Sequence, residues 1–235
     1  MNLEPQQAPP WLRPAVESAA ADATDTLDTM SVARAMRRAM AVVKEPRQAA
    51  VLVLFSGDAT GPVRPDDADV LLTQRASTMR QHRGQVAFPG GAVDPGDQGP
   101  VDTALREACE ETGVRREDVT PLAVMPTLFV PPSRFDVTPV LAYWHNPAEV
   151  RVVNTGETER VVRVPLSELL DPANRFMVRR TGYQSPAFQV DGMLVWGLTG
   201  GILNGIFKNA GWELDWDHND VRDLEEALAA VGMTL

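Results

Sequence analysis

Residues 71–114 read LLTQRASTMRQHRGQVAFPGGAVDPGDQGPVDTALREACEETGV. Two short runs, 70–75 and 85–88, have the length of strands and flank a polar segment. Pro89-Gly90-Gly91 is expected to turn, because paired glycines permit backbone angles that other residues resist. Residues 102–112 then read as a helix, with Asp102 able to cap its start and Gly113 placed to end it.

Working outward, residues 49–55 read as a buried strand and 57–69, with their Gly, Pro and Asp, as a surface loop. Residues 31–43 read as a helix capped by Ser31. Residues 1–30 read as a flexible arm with one apolar anchor at Trp11 and Leu12. Downstream, strands are expected at 119–125, 135–144, 160–164, 176–179 and 193–196, and helices at 167–170, 199–207 and 220–231. Strands and helices mix without strict βαβ alternation, which favours an α/β sandwich with a mixed sheet over a doubly wound parallel sheet. The expected organisation is an arm, 1–30, followed by one domain, 31–235.

Composition bounds the partners. Hydrophobic residues make up 44% and charged residues 23%, which is ordinary for a soluble globular chain. No apolar run reaches the roughly 18 residues of a membrane span, and the N-terminus lacks a secretory pattern. The lone cysteine, Cys109, excludes an intrachain disulfide framework, so a cytoplasmic setting is expected. A net charge of −10 argues against non-specific nucleic-acid binding but not against a small anionic ligand. Salt screens charge beyond roughly 8–10 Å, so the local field decides. No Asp or Glu occurs between Val70 and Val93, and Arg75, Arg80, His82 and Arg83 lie in that gap. Arginine offers a planar fork suited to phosphate.

On the helix, Glu107, Glu110 and Glu111 are three and four apart and share one face. Left in water they repel by a few tenths of a kcal/mol per pair. A hard divalent cation, Mg²⁺ or Mn²⁺, would relieve that repulsion. Arg106 precedes Glu110 by four residues and can pair with it or hold a glutamate in place. Three glutamates alone are more often a solvated face, but small and apolar neighbours (Ala104, Leu105, Ala108, Cys109) press this helix against something.

The segment REACEETGV, residues 106–114, resembles the second half of the Nudix box, G-x5-E-x7-R-E-U-x-E-E-x-G-U with U aliphatic. The first half departs: in register, Ala92 and Gln98 stand where Gly and Glu are expected. One extra residue in the loop brings Gly91 and Asp97 to those places. Upstream, Leu71-Leu72-Thr73, Arg75, Ala76, Arg80, His82, Gly84-Gln85 and Phe88-Pro89-Gly90-Gly91 resemble the accessory signature of coenzyme A diphosphatases. Val195-Trp196-Gly197-Leu198-Thr199, and Asn154 with Glu157, resemble the W-G-L-T and N-x-x-E elements of that subfamily. The resemblance covers roughly residues 48–208 and leaves the arm and the terminal helix unexplained.

What the resemblance implies is a Nudix-type α/β/α sandwich with a mixed sheet that binds Mg²⁺ or Mn²⁺ and hydrolyses the diphosphate of coenzyme A, or of acyl-CoA. It implies metal ligation by Glu107, Glu110, Glu111 and the carbonyl of Gly90 or Gly91. It implies catalytic glutamates at 107 and 110, with Glu157 as a later-loop base and Glu159 as runner-up. Arg75, Arg80, His82 and Arg83 are the expected substrate contacts. Rival readings are a diphosphatase acting on NADH, ADP-ribose or capped nucleotides, a Nudix-like module without catalysis, and an oligomer-forming scaffold. Assembly as a homodimer is left open by the sequence.

Overall fold

The computed structural model describes residues 2–20, 46–76, 84–131 and 133–234. The helix expected at 31–43 lies outside the described residues. The architecture is organised by one strand, β1 (Arg47–Ser56), whose side chains alternate between two cores. Ala50, Leu52 and Leu54 face one core while Val53 and Phe55 face the other. Burial on both faces explains why this run is continuously apolar rather than alternating.

β1 lies at the middle of an eight-stranded mixed sheet. It pairs in parallel with β7 (Phe135–Trp144) and antiparallel with β2 (Asp69–Arg75) and β4 (Gly90–Ala92). β3 (Val86–Ala87) and β8 (Thr158–Pro165) pair with β2, and β5 (Val119–Val124) and β6 (Leu128–Val130) pair with β7. Across one face lies α2 (Pro100–Thr112), which buries Val101, Ala104, Leu105 and Ala108 against β1 and β7. The other face carries α1 (Arg13–Ala20), the long α4 (Gly197–Asn209) and a four-stranded sheet. That second sheet is ordered β11 (Met193–Val195), β10 (Tyr183–Val190), β9 (Arg175–Arg180), β12 (Val221–Asp223). Short helices α3 (Leu166–Leu170) and α5 (Leu224–Ala230) pack beside it. The result is the expected Nudix-type sandwich of helices about a mixed sheet. Among the described residues no helix is long and apolar enough to cross a membrane.

Four expectations need correction. Gly90-Gly91 do not turn; they run as β4 alongside β1. Their small size serves close approach instead, since a Cβ on Gly90 would sit 2.4 Å from the Ala50 carbonyl oxygen. The helix 102–112 starts earlier, at Pro100, and its N-cap is Gly99 without a side-chain cap. Asp102 lies in its first turn, accepting from the Gln98 amide and pairing with Arg116. The terminal helix expected at 220–231 is shorter, because residues 221–223 join β9 as a parallel strand and Asp223 caps α5 through the Glu225 and Glu226 amides. β10 was not expected at all: Pro186 interrupts its pattern, yet β11 pairs only Phe188, Gln189 and Val190, which leaves one side of the strand at Pro186 without a ladder partner. The C-terminus of α2 is as expected, with Gly113 left-handed at φ 74° and its amide on the Cys109 carbonyl.

Residues 2–20 of the expected arm lie on the second core. Trp11 is 1% exposed, donates its indole N–H to the Asp58 carbonyl at 2.8 Å, and packs on Trp212 at 5.5 Å between ring centres. Trp212 in turn meets Phe55 of β1 and Phe207 of α4.

Candidate active site

The last turns of α2 carry the three glutamates, and the fold treats each differently. Glu111 is only 6% exposed, and its Oε2 accepts from the Gly90 amide at 3.1 Å. Burial pushes its carboxyl up to about 7; the Gly90 hydrogen bond and Arg75 oppose that rise, while Glu107 and Glu157 reinforce it. Glu111 thus feels four of the predicted site residues or their neighbours at once. Glu107 is partly buried and also raised, chiefly by burial, with the Arg106 guanidinium opposing at 2.9 Å. A Cβ on Gly91 would fall 2.4 Å from its carboxylate, so the glycine clears the room that Glu107 occupies. Glu110 stands apart: its side chain is 60% exposed and pairs with Arg106 at 3.3 Å.

Arg106 organises this face. Its Nε and Nη2 donate to the two oxygens of Asp97 at 3.0 and 2.9 Å, and Nη2 also reaches the Ala92 carbonyl at 3.0 Å. Asp97 further accepts from the Thr103 hydroxyl at 2.8 Å and the Asp94 amide at 2.9 Å. The Arg106 guanidinium holds the Asp97 carboxyl far below the usual carboxylate range. The residue standing in for the box's first glutamate is therefore the anchor of the arginine, and the extra loop residue sets the shorter Asp at the right reach.

Two further segments arrive at Glu111. β2 ends at Arg75, whose Nε is buried and has no hydrogen-bond partner among the described residues. Residue 157 precedes β8, and its carbonyl accepts from the Ala76 amide at 2.8 Å. The loop before it is joined to α2, with the Arg151 amide on the Thr112 carbonyl and the Val153 amide on the Glu111 carbonyl at 3.1 and 3.2 Å. Those bonds satisfy two of the carbonyls a helix leaves open at its C-terminus. Arg80, His82 and Arg83 lie outside the described residues. The W-G-L-T element starts α4, and its Thr199 hydroxyl donates to the Val86 carbonyl of β3 at 3.2 Å.

The structure thus brings Arg75, Gly91, Glu107, Glu111 and Glu157 together and turns Glu110 outward. The Gly90 amide escaped sequence reasoning, because it needs the β1–β4 pairing to be known; Asp97 was placed at the box position, but its two-pronged bond to Arg106 was not foreseen. Among the described residues no three His, Cys, Asp or Glu form a ready-made ligand set. What does converge is a pair of carboxylates, Glu107 and Glu111, both made harder to ionise by burial, with Glu107 seated in the room that Gly91 leaves. An oxygen-only donor set of that kind fits Mg²⁺ or Mn²⁺.

A family model described as the NUDIX domain matches residues 44–183, which contain Arg75, Gly91, Asp97, Arg106, Glu107, Glu110, Glu111 and Glu157. The chain belongs to the Nudix family. An uncharacterized Nudix hydrolase, NudL, from Enterobacter sp. (strain 638) is 36% identical over 175 residues, 70% of this chain and 83% of NudL. Nudix hydrolase 3 of Caenorhabditis elegans is 39% identical over 123 residues, and the match spans only 51% of each chain. Among solved structures, a C. elegans Ap4A hydrolase binary complex is 26% identical with a TM-score of 0.41, covering 52% of this chain and 81% of that one. As a member of the Nudix family, the chain carries its box helix as α2.

Proposed function

We propose that this Nudix hydrolase cleaves the diphosphate of coenzyme A, and of acyl-CoA, giving 4′-phosphopantetheine and adenosine 3′,5′-bisphosphate. The observation that carries this reading is the meeting of Arg75 with Glu111. Arg75 belongs to the 71–91 signature that resembles coenzyme A diphosphatases, and Glu111 to the box helix. The Arg75 charge opposes the rise at Glu111, and Thr158, next to Glu157, pairs with Arg75 in the β2–β8 ladder, which supports reading the two signals as one site. The unpaired, buried Nε of Arg75 supports a role as a phosphate donor, since an N–H in such a place gains most from an anionic partner.

In the proposed reaction Glu107 and Glu111 hold the metal, with Glu110 joining them only if it leaves Arg106. A bound Mg²⁺ or Mn²⁺ supplies charge neutralisation at the diphosphate and lowers the pKa of water. Arg75, with Arg80, His82 and Arg83 upstream, grips phosphate oxygens and aligns the diphosphate for in-line attack. Glu157 takes the proton from the attacking water as its oxygen bonds to one phosphorus; the bond from that phosphorus to the bridging oxygen breaks, and the bridging oxygen leaves on the other phosphate with the electron pair as negative charge. Asp97 and Arg106 act one layer back, by keeping Glu107 oriented.

The test is a metal-dependent panel of coenzyme A, 3′-dephospho-coenzyme A, NADH, ADP-ribose and diadenosine tetraphosphate, with products separated by chromatography. Coenzyme A should be the preferred substrate with Mg²⁺ or Mn²⁺ and inert with chelator. Preference for NADH, ADP-ribose or the dinucleotide would leave a Nudix diphosphatase but remove the coenzyme A assignment. No turnover with any member would favour a non-catalytic nucleotide-binding module.

A further inference from the structure

The loop that delivers Glu157 is built around Asn154. The Asn154 Oδ1 accepts from the Gly156 amide at 3.1 Å. Its main-chain carbonyl accepts from both the Glu157 amide, at 3.2 Å, and the Thr158 amide, at 2.9 Å. Three consecutive amides are therefore turned inward on one residue. Asn and Asp favour such turns because their short side chain can imitate a backbone acceptor.

Both ends of this turn are fixed. Immediately before it, the Val153 amide bonds to the carbonyl of Glu111 itself. Immediately after it, the Glu157 carbonyl takes the Ala76 amide, and Thr158, 2% exposed, pairs across from Arg75 in the β2–β8 ladder. The register of that ladder shifts between Gln74 and Arg75, close to where Glu157 enters. Residues 153–158 form a bridge from the carboxylate helix to the arginine strand, and the Asn154 side chain braces it from within.

We infer that Asn154 is a positioning residue for the reaction: it closes the turn that holds Glu157 at a fixed distance from Glu111. The inference rests on the proposed reading of Glu157 as proton acceptor. Asn154 is exposed and its side chain bonds within the turn, to the Gly156 amide, so its effect is expected to pass through Glu157. Loss of placement, rather than loss of a charge, is what its removal should cause.

A double-mutant cycle tests this, run on whichever substrate of the panel is turned over best. Asn154→Ala should lower kcat by roughly 10–100-fold, the scale expected for about 1 Å of misplacement, with KM within about twofold. Asn154→Asp keeps the acceptor oxygen and should recover most of the rate. Glu157→Gln should be slow, and adding Asn154→Ala to it should cost nothing more, because coupled residues are not additive. Hydrogen exchange at the Glu157 and Thr158 amides gives a readout independent of turnover: faster in Asn154→Ala, restored in Asn154→Asp. Unchanged exchange, a near-normal Asn154→Ala beside a crippled Glu157→Gln, or losses that multiply in the double variant would each overturn the inference alone. A near-normal Glu157→Gln would instead sink the reading of Glu157, and this inference with it.

Discussion

At residue scale, the behaviour of Glu111 is set by desolvation competing with local donors. Its carboxyl ionises near 7 rather than at its ordinary 4.5, so the folded, metal-free protein holds a proton that the unfolded chain has released. Between about pH 4.5 and 7 the native state binds more protons, and stability must fall as pH rises. The full shift is worth at most about 3 kcal/mol. Scanning calorimetry of metal-free protein should show that decline, and Glu111→Gln should flatten it. A divalent cation favours the ionised form, so Mn²⁺ should raise Tm more at pH 8 than at pH 6. The same substitution should slow hydrolysis at least 10²-fold, because the metal's electrostatic contribution is worth several kcal/mol; a steady-state rate within tenfold of the parent would mean the site is misplaced. The adjacent glycines should separate by readout. Gly91→Ala meets the mobile end of Glu107 and should damage activity more than stability. Gly90→Ala meets the β1 backbone and should unfold the protein at markedly lower urea, a cost of about 1–3 kcal/mol or more.

At the scale of elements, the box helix is held by its loop. Asp97 and Arg106 form a two-pronged, charge-assisted pair whose acid is nearly buried, with side-chain exposures of 5% and 22%. Removing one partner leaves the other unsatisfied. Asp97→Asn should therefore cost about 1–3 kcal/mol in denaturant melts and lower kcat by releasing Arg106 onto Glu107 and Glu110. An unchanged melting curve would show the loop to be idle. Helix and glutamates were legible in the sequence because the 3.6-residue repeat and the Gly113 stop act within one element. β1, β7 and the mixed sheet were legible for the same local reason: long apolar runs. Gly90-Gly91 misled because a glycine's permissiveness was taken as a bend, whereas its use is lateral clearance from β1 and Glu107, which only the stacked layers impose. Arg75 and Glu157 were chosen separately; that they sit by one carboxylate depends on the β2–β8 register, which no local pattern states.

At the scale of the whole molecule, the N-terminal segment and the C-terminal elements close the face opposite the box helix. Trp11, Trp212, Phe207 and Phe55 meet there, bringing three distant parts of the chain into one aromatic cluster. Trp11→Ala should cost about 3–5 kcal/mol, read as a lower denaturation midpoint, while leaving metal affinity in the folded protein unchanged. The parallel pairing of β1 with β7 has a different consequence, one of time. Gln48 and Asp136, hydrogen-bond partners across it, are 88 residues apart. At about 5–20 residues per second of synthesis, β1 waits on the order of 4–18 s for its neighbour to leave the ribosome. For that interval the edge of β1 that β7 will cover stays unpaired, so the yield of native protein in a cell should fall when chaperones are depleted.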